Sequence, residues 1–97
     1  MLESKFKLDQ REHFEKIGWK FITLSAGGGV PKGFPDTLCL SPMGRVCFVE
    51  WKKTKGAKKQ SLQEYWHNWL NKNGHHAFFV YPENVEEWRQ WMNSHTS

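Results

Sequence analysis

Two short runs hold the residues best suited to chemistry. Phe34-Pro35-Asp36-Thr37-Leu38-Cys39-Leu40 carries a carboxylate near its start; Val46-Cys47-Phe48-Val49-Glu50-Trp51-Lys52 carries a second carboxylate and a lysine at its end. Both have strand-like content, and the join Ser41-Pro42-Met43-Gly44-Arg45 contains Pro and Gly, so a hairpin is predicted. Side chains alternate across a strand, which puts Glu50 and Lys52 on one face. With the turn centred on Met43, Asp36 stands opposite Glu50, next to the same-face apolar residues Leu38, Leu40, Val46 and Phe48. Two carboxylates and one ammonium at the end of an apolar ribbon suit a hard divalent cation held beside a positive charge. Cutting a phosphodiester bond requires that combination.

The same register places Cys39 opposite Cys47 on the other face, as small buried apolar residues. Two cysteines alone cannot build a zinc site. Residues 2–17 read as a helix, with Leu2, Phe6, Phe14 and Ile17 on its apolar side and Gly18 as a left-handed stop. Trp19 to Leu24 reads as a strand, with Trp19, Phe21 and Ile22 as its bulk. Ser25-Ala26-Gly27-Gly28-Gly29-Val30-Pro31-Lys32-Gly33 is then a loop arriving at the Pro-Asp step.

A second helix is predicted over residues 61–73, striped by Leu62, Trp66, Trp69 and Leu70 and ended by Gly74. His76 to Tyr81 is a nearly continuous apolar strand, expected in the sheet interior and stopped by Pro82. Asn84 is expected to cap a last helix, with Glu87 in capping-box position and Val85, Trp88 and Met92 on one face. The order is α-β-β-β-α-β-α. A crossover helix between the third and fourth strands implies parallel pairing there, beside the antiparallel hairpin. The expected fold is α/β: one mixed sheet with helices on both faces.

The 97 residues are expected to form one domain, 1–97. An apolar content of 38% with 15% aromatics excludes a disordered chain. No apolar run reaches the roughly 18 residues of a membrane span, so an intracellular, soluble protein is expected, with no membrane partner. The formal charge of +4 permits a polyanionic partner. Lys52, Lys53, Lys55, Lys58 and Lys59 fall in a stretch without an acid, leaving directly from the carboxylate site. The five histidines show no metal-ligand spacing and read as structural or solvent-facing. Of the tryptophans, Trp19, Trp66 and Trp88 fit apolar faces, whereas Trp51 and Trp69 are expected to be more exposed.

The chain resembles the PD-(D/E)xK nuclease superfamily, and within it the virus-type replication-repair nuclease (VRR-NUC) branch. The resemblance covers nearly the whole chain. It runs through Glu3, Gly18-Trp19, Gly33-Phe34-Pro35-Asp36, Phe48-Val49-Glu50-Trp51-Lys52, Lys55-Gly56, Gln63-Glu64-Tyr65-Trp66-His67, Leu70 and Asn73-Gly74-His75. Two departures stand out: the segment between Gly56 and Gln63 is about one residue long for the pattern, and Lys32 replaces a frequent arginine. Neither touches the carboxylate and lysine set. The implied fold is the restriction-endonuclease-like form of the mixed sheet.

The resemblance implies that Asp36, Glu50 and the backbone carbonyl of Trp51 hold Mg²⁺ or Mn²⁺. Lys52 would stand beside the attacking water and the phosphate. Their structural alternative is a turn-capping Asp36 with Glu50 paired to Lys52. Gln63 would hydrogen-bond near the water or phosphate, or serve as a helix-surface amide. Glu3 would reach the metal through water, or favour the helix N-terminus through the dipole. Lys32, Lys53, Lys55, Lys58 and Lys59 are the candidate DNA contacts, with Gly27-Gly28-Gly29 able to lay amides against a phosphate. The expected function is a metal-dependent DNA endonuclease acting as a homodimer on branched DNA, four-way (Holliday) junctions above all. If phage-borne, it would work in the cytoplasm of a bacterial host. The alternative is a non-catalytic nucleic-acid-binding module built on residues 52–59.

Overall fold

The computed structural model describes residues 3–24 and 28–96. The predicted hairpin is its centre. Gly44 adopts a φ of +85°, open to glycine and strained for other residues. The Ser41 hydroxyl accepts the N–H groups of Met43 and Arg45, and Ser41 N–H donates to the Arg45 carbonyl at 2.8 Å. This closed turn fixes the register of β2 (Thr37–Leu40) against β3 (Val46–Trp51), antiparallel, with Cys39 opposite Cys47 as expected. β1 (Lys20–Thr23) adds antiparallel to the far side of β2. The helix α2 (Ser61–Lys72) then carries the chain over to β4 (Ala77–Val80), parallel to β3. α1 (Glu3–Glu15) precedes the sheet and α3 (Val85–Ser94) follows it. Gly18, at φ +107°, supplies the left-handed stop after α1.

The two faces of the sheet differ. Odd-numbered side chains of the central strands are buried, and Cys39, Cys47, Val49 and Trp51 meet Phe6 and Phe14 of α1 and Trp88 and Met92 of α3. Trp51 packs edge-on to Phe6 at 5.9 Å and to Trp88 at 5.5 Å, and Phe14 meets Trp88 at 5.2 Å. Each such buried aromatic or aliphatic side chain contributes about 1.5–3 kcal/mol. The even face is thinner. There α2 packs through Trp66 on Phe34, which rests on Phe48, and through His67 stacked at 3.7 Å on Phe79.

Several expectations are corrected. β4 is an edge strand, since the sheet order is β1-β2-β3-β4. Its unbroken apolar run reflects cover on both faces: Phe78 meets Trp91 of α3 and Phe79 meets His67 of α2. Trp51, expected exposed, is 1% exposed, because the odd face carries it into the aromatic core. Ile17, Ile22 and Leu62 are exposed rather than packed; Trp69 is exposed as expected. Asn84 precedes α3 but makes no side-chain cap. Its amide instead donates to Phe79 O at 2.8 Å and accepts Tyr81 N–H at 2.9 Å, tying the turn that leaves β4. Leu2, residues 25–27 of the Gly-rich loop, and the side chain of Glu3 lie outside the described residues.

Candidate active site

Asp36 immediately precedes β2, and its carbonyl accepts Leu24 N–H at 2.7 Å, which ties it to the end of β1. Thr37 Oγ1 donates to Asp36 Oδ1 at 2.9 Å and accepts the indole N–H of buried Trp51 at 2.9 Å. The aromatic core thereby orients Thr37, and Thr37 orients the carboxylate. The β2–β3 ladder ends at the Thr37–Val49 pair, so Asp36, one residue before it, and Glu50, one residue after it, stand at the same end of the sheet. Lys52 follows β3 directly; its N–H bonds Val80 O at 2.9 Å, so its side chain shares the face of Glu50.

Gln63, in the first turn of α2, joins these groups. Lys52 Nζ donates to Gln63 Oε1 at 2.8 Å and to the Lys58 carbonyl at 3.4 Å. Gln63 Nε2 donates to Glu50 Oε2 at 3.5 Å, and Gln63 Oε1 also accepts Gln60 N–H at 3.2 Å. The glutamine thus closes the start of its helix and fixes the lysine beside Glu50. One turn later, His67 faces Gln63 O at 2.9 Å through Nδ1 and Phe78 O at 3.2 Å through Nε2. Burial lowers its pKa, and Lys52 and Lys59 push the same way against the two carbonyls. The ring is neutral near pH 7, so it donates to one carbonyl only. Gly33 lies against the same helix: a Cβ there would fall 2.5 Å from Leu62 Cβ.

Proline has a specific effect at this corner. Phe48 N–H bonds the β4 side, at His76 O, so odd-numbered backbone groups of β3 point toward β2. The β2–β3 ladder stops at Thr37–Val49, and Pro35, two residues further out, has no N–H with which to extend it. The Trp51 carbonyl expected as a third ligand ends β3 at this same corner. Among the described residues no group of three or more His, Cys, Asp or Glu could hold a metal ion. Two carboxylates and one carbonyl are a sparse set of hard oxygens, which fits Mg²⁺ or Mn²⁺ with water completing the sphere.

Most of the basic residues lie in the segment that leaves β3 at this corner. Lys53, Lys55 and Lys58 are exposed, and Lys59 packs 5.0 Å over the Phe79 ring. The lysine loop is tethered: Thr54 Oγ1 and Lys55 N–H both donate to the Glu83 carboxylate, and the Thr54 bond chiefly holds that carboxyl below its usual range. Lys32 is exposed in the turn next to Gly33.

No protein-family model matches the chain, and neither does any curated protein. Among solved structures, one described as a VRR_NUC domain matches at 30% identity, covering 91% of this chain and 94% of that one, with a TM-score of 0.77. The chain belongs to the VRR-NUC family. Its four-stranded mixed sheet and three helices are the VRR-NUC fold, and membership implies a nuclease-type, DNA-related function. Nucleases of this kind generally use divalent metals. His67, read from the sequence as structural or solvent-facing, is buried between two backbone carbonyls. Thr37 was not singled out from the sequence; its hydroxyl beside Asp36 was the available signal. Among the described residues, no helix is long and apolar enough to cross a membrane.

Proposed function

We propose that this VRR-NUC protein is a divalent-metal-dependent DNA endonuclease, 1–97 forming one catalytic domain that works as a homodimer on four-way junctions. The observation that supports it most is the Gln63 bridge, which links Lys52 to Glu50 at the end of the sheet where Asp36 also stands. Asp36, Glu50 and the Trp51 carbonyl would hold the ion, Glu3 contributing through water, and the ion supplies Lewis-acid polarisation of the phosphate and a more acidic water. Lys52, steadied by Gln63, orients the water and offsets charge growing on the phosphate oxygens. Water oxygen bonds to phosphorus, one P–O ester bond breaks, and the departing alkoxide takes up a proton. Lys32, Lys53, Lys55, Lys58 and Lys59 bind flanking phosphates.

Symmetric cutting of a junction needs two such corners. A second copy is supported by exposed apolar side chains on the even-face side: Leu62, Tyr65 and Trp69 of α2, and Ile22 and Val46 of the sheet. Exposed apolar groups in this number on one side of a small protein mark an interaction surface. The test uses labelled duplex, flap and four-way-junction DNA with Mg²⁺, Mn²⁺ or EDTA. Paired metal-dependent nicks in the junction are expected, with Asp36→Ala slowed about 10³-fold or more, or at least ~4 kcal/mol of transition-state stabilisation. Sedimentation should show a dimer that Trp69→Glu dissociates. Normal cutting by Asp36→Ala would overturn the assignment, and tight binding without cutting under any metal would leave a binding module.

A further inference from the structure

A concavity lies on the other face of the sheet from the proposed cutting site. It holds about 230 Å³ between α1 and the strand ends. Its floor is Phe21 and Trp51, its strand-side rim Thr23 and Thr37, and its helix wall Lys7, Leu8 and Arg11. Thr23 and Thr37 are register partners, and Thr37 in turn partners Val49, so the opening lies at the sheet end that carries Asp36 and Glu50. Thr37 is the shared wall: its hydroxyl holds Asp36 Oδ1 on one side and the Trp51 indole on the other.

The lining combines two chemistries. Lys7 and Arg11 are four residues apart on α1 and so share one helix face, a face that also includes the position of Glu3. Arg11 contacts Glu15 through Nε at 3.2 Å, its one ion pair among the described residues, which leaves the outer guanidinium nitrogens for an anion. Between the cations and the floor, Leu8 is 49% exposed at the rim. An inorganic anion would use the cations and leave the apolar floor idle. A nucleotide uses both: phosphate on the cations, base against apolar and aromatic side chains.

We propose that this cavity receives one unstacked nucleotide of the substrate strand next to the cut, its phosphate on Lys7 and Arg11 and its base against Leu8 and Phe21. The inference rests on reading the Asp36 corner as the cutting site. It gives a physical origin for a preference for branched DNA, because a nucleotide at a branch leaves its stack at lower cost than one inside a duplex.

Binding in EDTA separates this site from catalysis. Fluorescence anisotropy would compare a four-way junction and an intact duplex, with wild type and with Lys7→Ser/Arg11→Ser, over a series of salt concentrations. The variant is expected to lower the salt slope on the junction by about 0.7, from the one single-strand phosphate that both cations hold, and to lose most of the preference for junction over duplex. An unchanged slope overturns the proposal, as does a lowered slope with the preference intact. Cleavage by Asp36→Ala, run in parallel, tests the cutting site alone, so a failure of either reading can be told from a failure of the other.

Discussion

Gly33→Ala and Gly44→Ala make a matched pair that isolates one steric clash. Both glycines have φ +85°, so alanine at either costs about 1–2 kcal/mol in the left-handed region. At Gly44 a Cβ meets nothing within 4 Å. At Gly33 it would meet Leu62 Cβ at 2.5 Å and the Leu62 carbonyl carbon at 2.7 Å, so the start of α2 must move. Overpacking of that kind adds about 1–3 kcal/mol. The extra destabilisation at Gly33 should therefore lower Tm by at least about 4 °C beyond Gly44→Ala, at roughly 4–8 °C per kcal/mol for a chain of this size. Leu62 is adjacent to Gln63, so the displacement also pulls the amide away from Lys52 and Glu50. Cutting by Gly33→Ala should fall at least about tenfold in kcat, equivalent to roughly 1.4 kcal/mol in the barrier. Gly44→Ala, in the turn joining the opposite ends of the two strands, should keep its rate at temperatures where it is folded. Thermal melts and single-turnover cleavage would measure the two effects. Equal destabilisation by both variants, with wild-type cutting by Gly33→Ala, would refute the packing argument.

Three other outcomes are expected. Gln63→Ala removes a charge-assisted bond of about 1.5–3 kcal/mol to Lys52, so kcat should drop about 10- to 100-fold with a smaller change in KM; steady-state cleavage kinetics would show it. His67 has its folded pKa below the unfolded value near 6.5, so the unfolded chain binds the extra proton first. Stability from this residue is complete above the unfolded pKa and is lost as pH falls toward the folded one; denaturant titrations of wild type against His67→Gln from about pH 7.5 to 5 should show a shallower decline in the variant. Neutralising Lys55, Lys58 and Lys59 should lower the salt slope of duplex binding by roughly 0.9 for each phosphate that they pair with, and an unchanged slope would remove these lysines from the interface.

The hairpin and its register were legible because a short Pro-Gly turn and two-residue alternation leave little freedom. The parallel β4 was legible from the length of the crossover. Its place at the edge was not, because a continuous apolar run reports what covers a strand's faces and says nothing of its neighbours in the plane. Trp51 and Leu62 were misplaced for a related reason: which face of the sheet or helix is deeply covered depends on where α1 and α3 pack, and that is decided by residues distant in sequence. At the proposed site, residue types singled out Asp36, Glu50 and Lys52. The bond from Thr37 to Asp36 and the contacts of His67 with two carbonyls come from three-dimensional neighbours that no spacing rule specifies. Lys7 and Arg11 looked like the ordinary charged side of a helix, and only the cavity beneath them distinguishes them.

The unequal thickness of the two layers separates staying folded from staying active. The dense aromatic layer on the α1 and α3 side contains none of the side chains proposed to act on the scissile phosphate, whereas Gln63 rides on α2, where only His67 and Leu70 are buried. Helices so lightly anchored open locally below the global transition. Detachment of α2 would strand Lys52 and Glu50 without their bridge while the spectroscopic signature of the core remained native. Loss of cutting on heating would then set in as a reversible fading ahead of the melt, with the tryptophan-rich layer serving as the template on which α2 re-docks.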